Sequence, residues 1–145
     1  MKKSVKKMEF SRKIRAAMLA ATAAFFVGGC SGFEPNNNYL MPQDFARQLS
    51  KDGLNVIATR PLDPLPLSAT AALEIRVDNS SIGVYKYDIS IRKQKERLER
   101  IRKSKRVFFT GIPYPIYEVS GSFIVVGLDK HKDKERILKS LRNFK

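Results

Sequence analysis

Ala71-Ala72-Leu73-Glu74-Ile75-Arg76-Val77-Asp78-Asn79-Ser80-Ser81-Ile82-Gly83-Val84-Tyr85-Lys86-Tyr87 is the stretch that decides the fold. Ala71, Leu73, Ile75 and Val77 fall on one face of an extended chain and Glu74 and Arg76 on the other, which is the two-residue period of a half-buried strand. Residues 78–81 are short polar turn formers. The β-branched and aromatic run at 82–87 returns as a second strand. A lone hairpin cannot bury its apolar face, so the flanking segments are expected to supply helices and further strands.

Upstream, Pro42-Gln43-Asp44-Phe45 opens a helix with proline in its first turn, sets Phe45, Ala46 and Leu49 on one face, and is stopped by Gly53. Residues 54–59 read as a strand. Residues 61–67, with three prolines, read as an extended, irregular connection. Downstream, Asp88 or Ser90 caps a helix running to about residue 104, with Ile91, Leu98 and Ile101 as its apolar stripe. Residues 107–110 read as a short strand, after which Gly111, Pro113 and Pro115 are expected to interrupt regular pairing. Residues 116–119 and 122–128 form a hairpin signal about Ser120-Gly121, and Ile137, Leu138, Leu141 and Phe144 mark a closing helix. The order predicts an α+β fold: a two-layer sandwich with a mostly antiparallel sheet and helices packed on one face.

The chain has 145 residues and carries 28 Lys+Arg against 14 Asp+Glu, a formal charge of +14. That length holds one small domain. The single Cys excludes an internal disulfide and a Cys/His zinc set, and the one His leaves little for acid/base chemistry near neutral pH. The charge is uneven. Lys2, Lys3, Lys6, Lys7, Arg12, Lys13 and Arg15 face Glu9 alone, and no further charge follows until Glu34. The apolar stretch at 16–29 falls short of the ~20 residues a membrane-spanning helix needs. A basic head, a short apolar stretch and small residues at its end describe an export signal.

At that end, Val27-Gly28-Gly29-Cys30-Ser31 resembles the lipobox of bacterial lipoproteins: an aliphatic residue, two small residues, then the Cys. The thiol is the nucleophile that takes the diacylglyceryl group, and small neighbours let a peptidase reach the bond before it. The resemblance implies cleavage between Gly29 and Cys30, with Cys30 as the lipidated mature N-terminus. Acyl chains such as palmitate, two or three of them at ~0.8 kcal/mol per buried methylene, then anchor the chain firmly. The expected organisation is a signal peptide at 1–29, a lipidated tether at 30–40, rich in Asn, and a single α+β globular domain at 41–145. The expected location is extracytoplasmic and lipid-anchored, at the cell membrane or outer membrane.

Residues 54–141 are also similar to a loosely defined class of small bacterial lipoproteins. In that class a strand with alternating Tyr precedes a charged helix, as in Val84-Tyr85-Lys86-Tyr87-Asp88. A Pro-aromatic strand also turns at Gly into an aliphatic strand, as in residues 115–127 here. This likeness implies an envelope location and an α+β architecture, and it brings no activity with it.

Removing residues 1–29 leaves a charge of +8, and residues 86–106 hold ten bases against three acids. On a helix, Arg92, Lys93, Arg97, Arg100 and Lys103 point away from the apolar stripe, so they are the candidate anion-binding residues, facing wall polymer or anionic lipid. The opposing reading is a solvated helix with i,i+4 pairs Arg92 with Glu96, Lys95 with Glu99, Glu96 with Arg100 and Glu99 with Lys103. Nucleic acid is not an expected partner, because aromatics are not interleaved with the charge.

Asp129-Lys130-His131-Lys132-Asp133-Lys134-Glu135 resembles half of a calcium loop. Lys134 stands where the turn needs Gly and Ser140 where Glu is needed, so no metal site is expected. No cofactor is expected either, and no nucleophile, base and metal set is recognisable. The expected function is a non-catalytic binding or scaffold module tethered to the membrane, with an envelope protein or an anionic polymer as its expected partner. The alternatives are a binder of envelope polyanions or anionic lipid through the basic helix at 90–106, and a small envelope hydrolase.

Overall fold

A computed structural model describes residues 36–145. The expected signal peptide at 1–29, the expected cleavage position at Gly29 and the expected lipidation position Cys30 lie outside the described residues. The chain order is α1 (Pro42–Lys51), β1 (Val56–Pro61), a 3-10 turn (Leu65–Leu67), β2 (Ala71–Val77), β3 (Ser80–Lys86), α2 (Arg92–Ser104), β4 (Arg106–Phe109), β5 (Ile112–Pro115), β6 (Val119–Ser120), β7 (Phe123–Val126) and α3 (Lys134–Arg142).

The fold is α+β. Five strands form one antiparallel sheet in the order β1-β2-β3-β7-β6, and β4 and β5 form a separate two-stranded sheet. The β2–β3 hairpin turns through Asp78 and Asn79, with Val77 opposite Ser80. Asp78 takes a left-handed φ of 50°, a conformation Asp tolerates because its short side chain hydrogen-bonds locally. Here that side chain accepts from Asn55 Nδ2 at 2.9 Å.

Two apolar layers form because successive residues of a strand point to opposite faces. Leu73, Ile75, Val77, Ile82, Val84, Phe123 and Val125 bury one face against α1 and α3. Tyr85, Ile124 and Val126 bury the other against Leu98 and Ile101 of α2, Val107, Ile116 and Leu67. Two helices therefore share one face, and α2 lies on the opposite face with the β4–β5 hairpin. That corrects the expectation that all helices pack on one side. The cause is visible in β7, whose four residues are all buried; an unbroken apolar run belongs to a strand covered on both faces.

Five local expectations also change. The 61–67 connection is not wholly extended: Pro61 ends edge strand β1, and Leu65–Leu67 form a 3-10 turn that buries Leu67. Ile91 is no part of an apolar stripe. It stands at the N-cap of α2, 49% exposed, and Asp88 does not cap the helix but accepts from the Ser90 amide and hydroxyl at 3.0 and 2.6 Å. Pro113 and Pro115 do not interrupt pairing, since they lie in β5 opposite Phe108 and Arg106. Thr110 and Gly111, at φ 47° and 83°, make a two-residue hairpin turn, so Phe109 and Ile112 close the ladder as a bonded pair and the prolines take the alternate, non-bonded positions. The later hairpin turns through Gly121 and Ser122, one residue beyond the expected turn, with Ser120 opposite Phe123.

The boundary at residue 41 moves as well. Asn37 is fully buried; its Nδ2 donates to the carbonyls of Ser120 and Phe144 at 3.2 and 3.0 Å, and its Oδ1 accepts from the Ser122 amide at 2.8 Å. Asn38 donates to Asp88 Oδ1 at 2.9 Å and accepts from the Ile89 amide and the Ser122 hydroxyl. The end of the Asn-rich segment is thus a clasp, not a tether. Buried backbone groups at the β6–β7 turn and the C-terminus need partners, and carboxamides carry both donor and acceptor.

Candidate functional site

Helix α2 is amphipathic: Leu98 and Ile101 are buried, and the remaining surface is dominated by cations. Its last turn holds Arg102 and Lys103, where positive charge favours the carbonyl end of the helix dipole. The helix stops at Lys105, which takes a left-handed φ of 56° while its amide bonds the Ile101 carbonyl at 2.8 Å. This sharp stop folds β4 back beside the helix. Arg106 and Phe108, two residues apart on one strand face, come to lie along the α2 surface.

The result is a groove of about 310 Å³ between α2, β4 and the 3-10 turn. Arg97, Arg100 and Ser104 line it from α2, Arg106 and Phe108 from β4, and Pro66 from the turn. Tyr87 also lines it and donates from its hydroxyl to the Leu67 carbonyl at 3.2 Å. Burial pushes the Tyr87 phenol far up, and the nearby Arg97 guanidinium only partly opposes this. No carboxylate lines the groove. Arg97, Arg100 and Arg106 have no ion-pair partner among the described residues.

The five candidate residues therefore divide. Arg97 and Arg100 meet in the groove with Arg106, which the helical pattern did not single out. Arg92 and Lys103 line a shallower, outward depression with Lys95, Glu96, Glu99 and Arg100. Lys93 is exposed and lines neither. Of the expected i,i+4 pairs, Arg92 with Glu96 is present at 2.7 Å, whereas Glu99 reaches Arg102 at 3.6 Å instead of Lys95 or Lys103. Both carboxylates thus lie on the outward side, and the groove keeps its positive charge. The left-handed stop at Lys105 is what brings in Arg106. Lysine gives no warning of such a stop, since glycine or asparagine usually fills that position.

The loop resembling half a calcium site has other partners. Asp129 accepts from the Tyr117 hydroxyl at 3.0 Å, and Asp133 pairs with Arg136 at 3.2 Å. His131 is buried and accepts the Asp133 amide on Nδ1 at 3.1 Å. Among the described residues, no helix is long and apolar enough to cross a membrane. No protein family, curated protein or solved structure matches the chain.

Proposed function

We propose that the chain is a lipid-anchored protein of the bacterial cell envelope, held through Cys30 at the cell membrane or outer membrane, and that its folded unit is a non-catalytic binding or scaffold module. The observation that supports a binding role is the convergence of Arg97, Arg100 and Arg106 on one groove without a carboxylate. Like charges lining one groove repel one another, and an anion bound among them relieves that repulsion. The same observation favours a more specific reading: the basic region at 90–106 binds envelope polyanions or anionic lipid.

Two measurements test the anchor. Intact mass spectrometry of protein taken from membranes is expected to give a chain beginning at Cys30 with acyl chains attached, and a bare sulfur refutes the proposal. Cys30→Ala is expected to accumulate as unlipidated full-length precursor, and a mature-sized soluble product contradicts the processing.

A further inference from the structure

The anchored reading above leaves the ligand open, and three features of the domain narrow it. The first is chemical. Arg97, Arg100 and Arg106 present planar, forked donors to one groove, and such forks match the tetrahedral oxygens of a phosphate better than a point charge does. The groove, about 310 Å³ and open to solvent, has room for a phosphodiester group.

The second feature is the rim. Phe108 is 54% exposed at the groove edge, and Leu65, next to the lining residue Pro66, is 76% exposed. A soluble polyanion gains nothing from these side chains. A bilayer gains from both parts, because a cationic floor takes the headgroup while flanking aromatic and aliphatic groups enter the acyl boundary.

The third feature is reach. Cys30 and the buried Asn37 are seven positions apart, a span of at most about 25 Å fully extended. Asn38 bonds Asp88 and Ile89, immediately before α2. The 13-residue helix is about 20 Å long. A lipid on Cys30 therefore holds the start of α2 within one short tether of the bilayer, whereas a distant polymer meets no such constraint.

We infer that the groove receives the phosphate of an anionic phospholipid headgroup, so that the domain lies with α2 and β4 against the membrane carrying its own anchor. Docking and anchoring are then two separate contacts with one surface. Neutralising the three arginines is expected to lower the docking equilibrium by about 100-fold, from the usual contribution of a basic residue near an anionic leaflet.

The chain has no Trp, so Phe108→Trp supplies a single reporter at the rim. The lipidated full-length mature protein is incorporated into vesicles of phosphatidylcholine alone or with phosphatidylglycerol, and quenching by brominated acyl chains is read. Quenching that needs phosphatidylglycerol, is reversed by high salt and is lost in R97Q/R100Q/R106Q supports docking. A charge-matched control, K130Q/K139Q/K145Q, is expected to keep it. Equal loss in both triple variants, or the same quenching in neutral vesicles, overturns the inference. So does release of the reporter by soluble poly(glycerol phosphate) that binds equally well in neutral vesicles, since the occupant is then a polymer. A lipidated chain that stays with the vesicles but never docks defeats only this inference, whereas native protein with no lipid on Cys30 defeats the anchored reading.

Discussion

Asn37→Ala removes the clasp that joins the start of the described fold to its end. The side chain is fully buried and makes three hydrogen bonds, to the carbonyls of Ser120 and Phe144 and from the amide of Ser122. Each contributes ~1 kcal/mol net, and a buried group left without its partner costs ~1–3 kcal/mol. Water entering the vacated space recovers part of this. The expected loss is about 3 kcal/mol, a large fraction of the ~5–15 kcal/mol that holds a small domain together. With an m-value of about 1.5 kcal/mol/M in urea, the unfolding midpoint falls by about 2 M. Circular dichroism during urea titration measures it, and the exposed neighbour serves as control: Asn36→Ala should move stability by less than ~0.5 kcal/mol. Asn37→Asp sharpens the test, because it keeps the shape and the acceptor but turns carboxylate oxygen toward two carbonyls. It should destabilise at least as much as alanine at neutral pH. A midpoint shift below about 0.5 M for Asn37→Ala would refute the reasoning, since three buried bonds cannot be lost so cheaply unless the segment is free in solution.

Phe144 meets Phe45 and Phe123 edge-to-face at centroid distances of 5.2 and 5.1 Å, so Phe144→Ala should cost about 3–5 kcal/mol, and an unchanged near-ultraviolet spectrum would argue against that contact. Thr110 is β-branched at a φ of 47° in the β4–β5 turn; Thr110→Asn should stabilise by about 0.5–1 kcal/mol in thermal unfolding. Gly111, at φ 83° with open space around it, should lose about 1 kcal/mol as Gly111→Ala from backbone conformation alone, and equal stability of the two forms would deny the turn geometry. Asp88 is pulled down to about 2 by the Ser90 hydroxyl, then Asn38, then the Ser90 amide. A depressed carboxylate contributes stability that is present above its unfolded value near 3.9 and is lost as pH falls through about 2. Asp88→Asn should therefore flatten the acid limb of stability, and an NMR titration of the Asp88 carboxyl with a midpoint near 3.9 would contradict the clasp.

Most elements were legible from local pattern. The alternation at 71–77 gave β2, the proline and acid at the start of α1 gave its first turn, and the spacing of Ile137, Leu138 and Leu141 gave α3. In α1, Asp44 reaches back to the Met41 amide at 2.8 Å, and that bond, more than the Arg47 charge, holds its carboxyl below the usual range. Proline content alone does not reveal the β4–β5 pairing, because the pairing depends on register; at alternate, non-bonded positions the missing amide costs the ladder nothing. The placement of α2 does leave a trace in β7. Phe123-Ile124-Val125-Val126 does not alternate, and a strand without a polar face needs cover on both sides.

The α+β class and the concentration of charge along α2 can be read from the chain alone, since each depends on neighbours a few positions apart. That Asn37 is a buried clasp, and that Arg106 joins Arg97 and Arg100, follows from the folded chain alone. The clasp bonds connect residues 83 and 107 positions apart, and the groove depends on a left-handed stop at Lys105 that returns the chain along its own helix. Such contacts are chosen by which apolar faces find cover together, and that choice belongs to the whole fold rather than to any stretch of it.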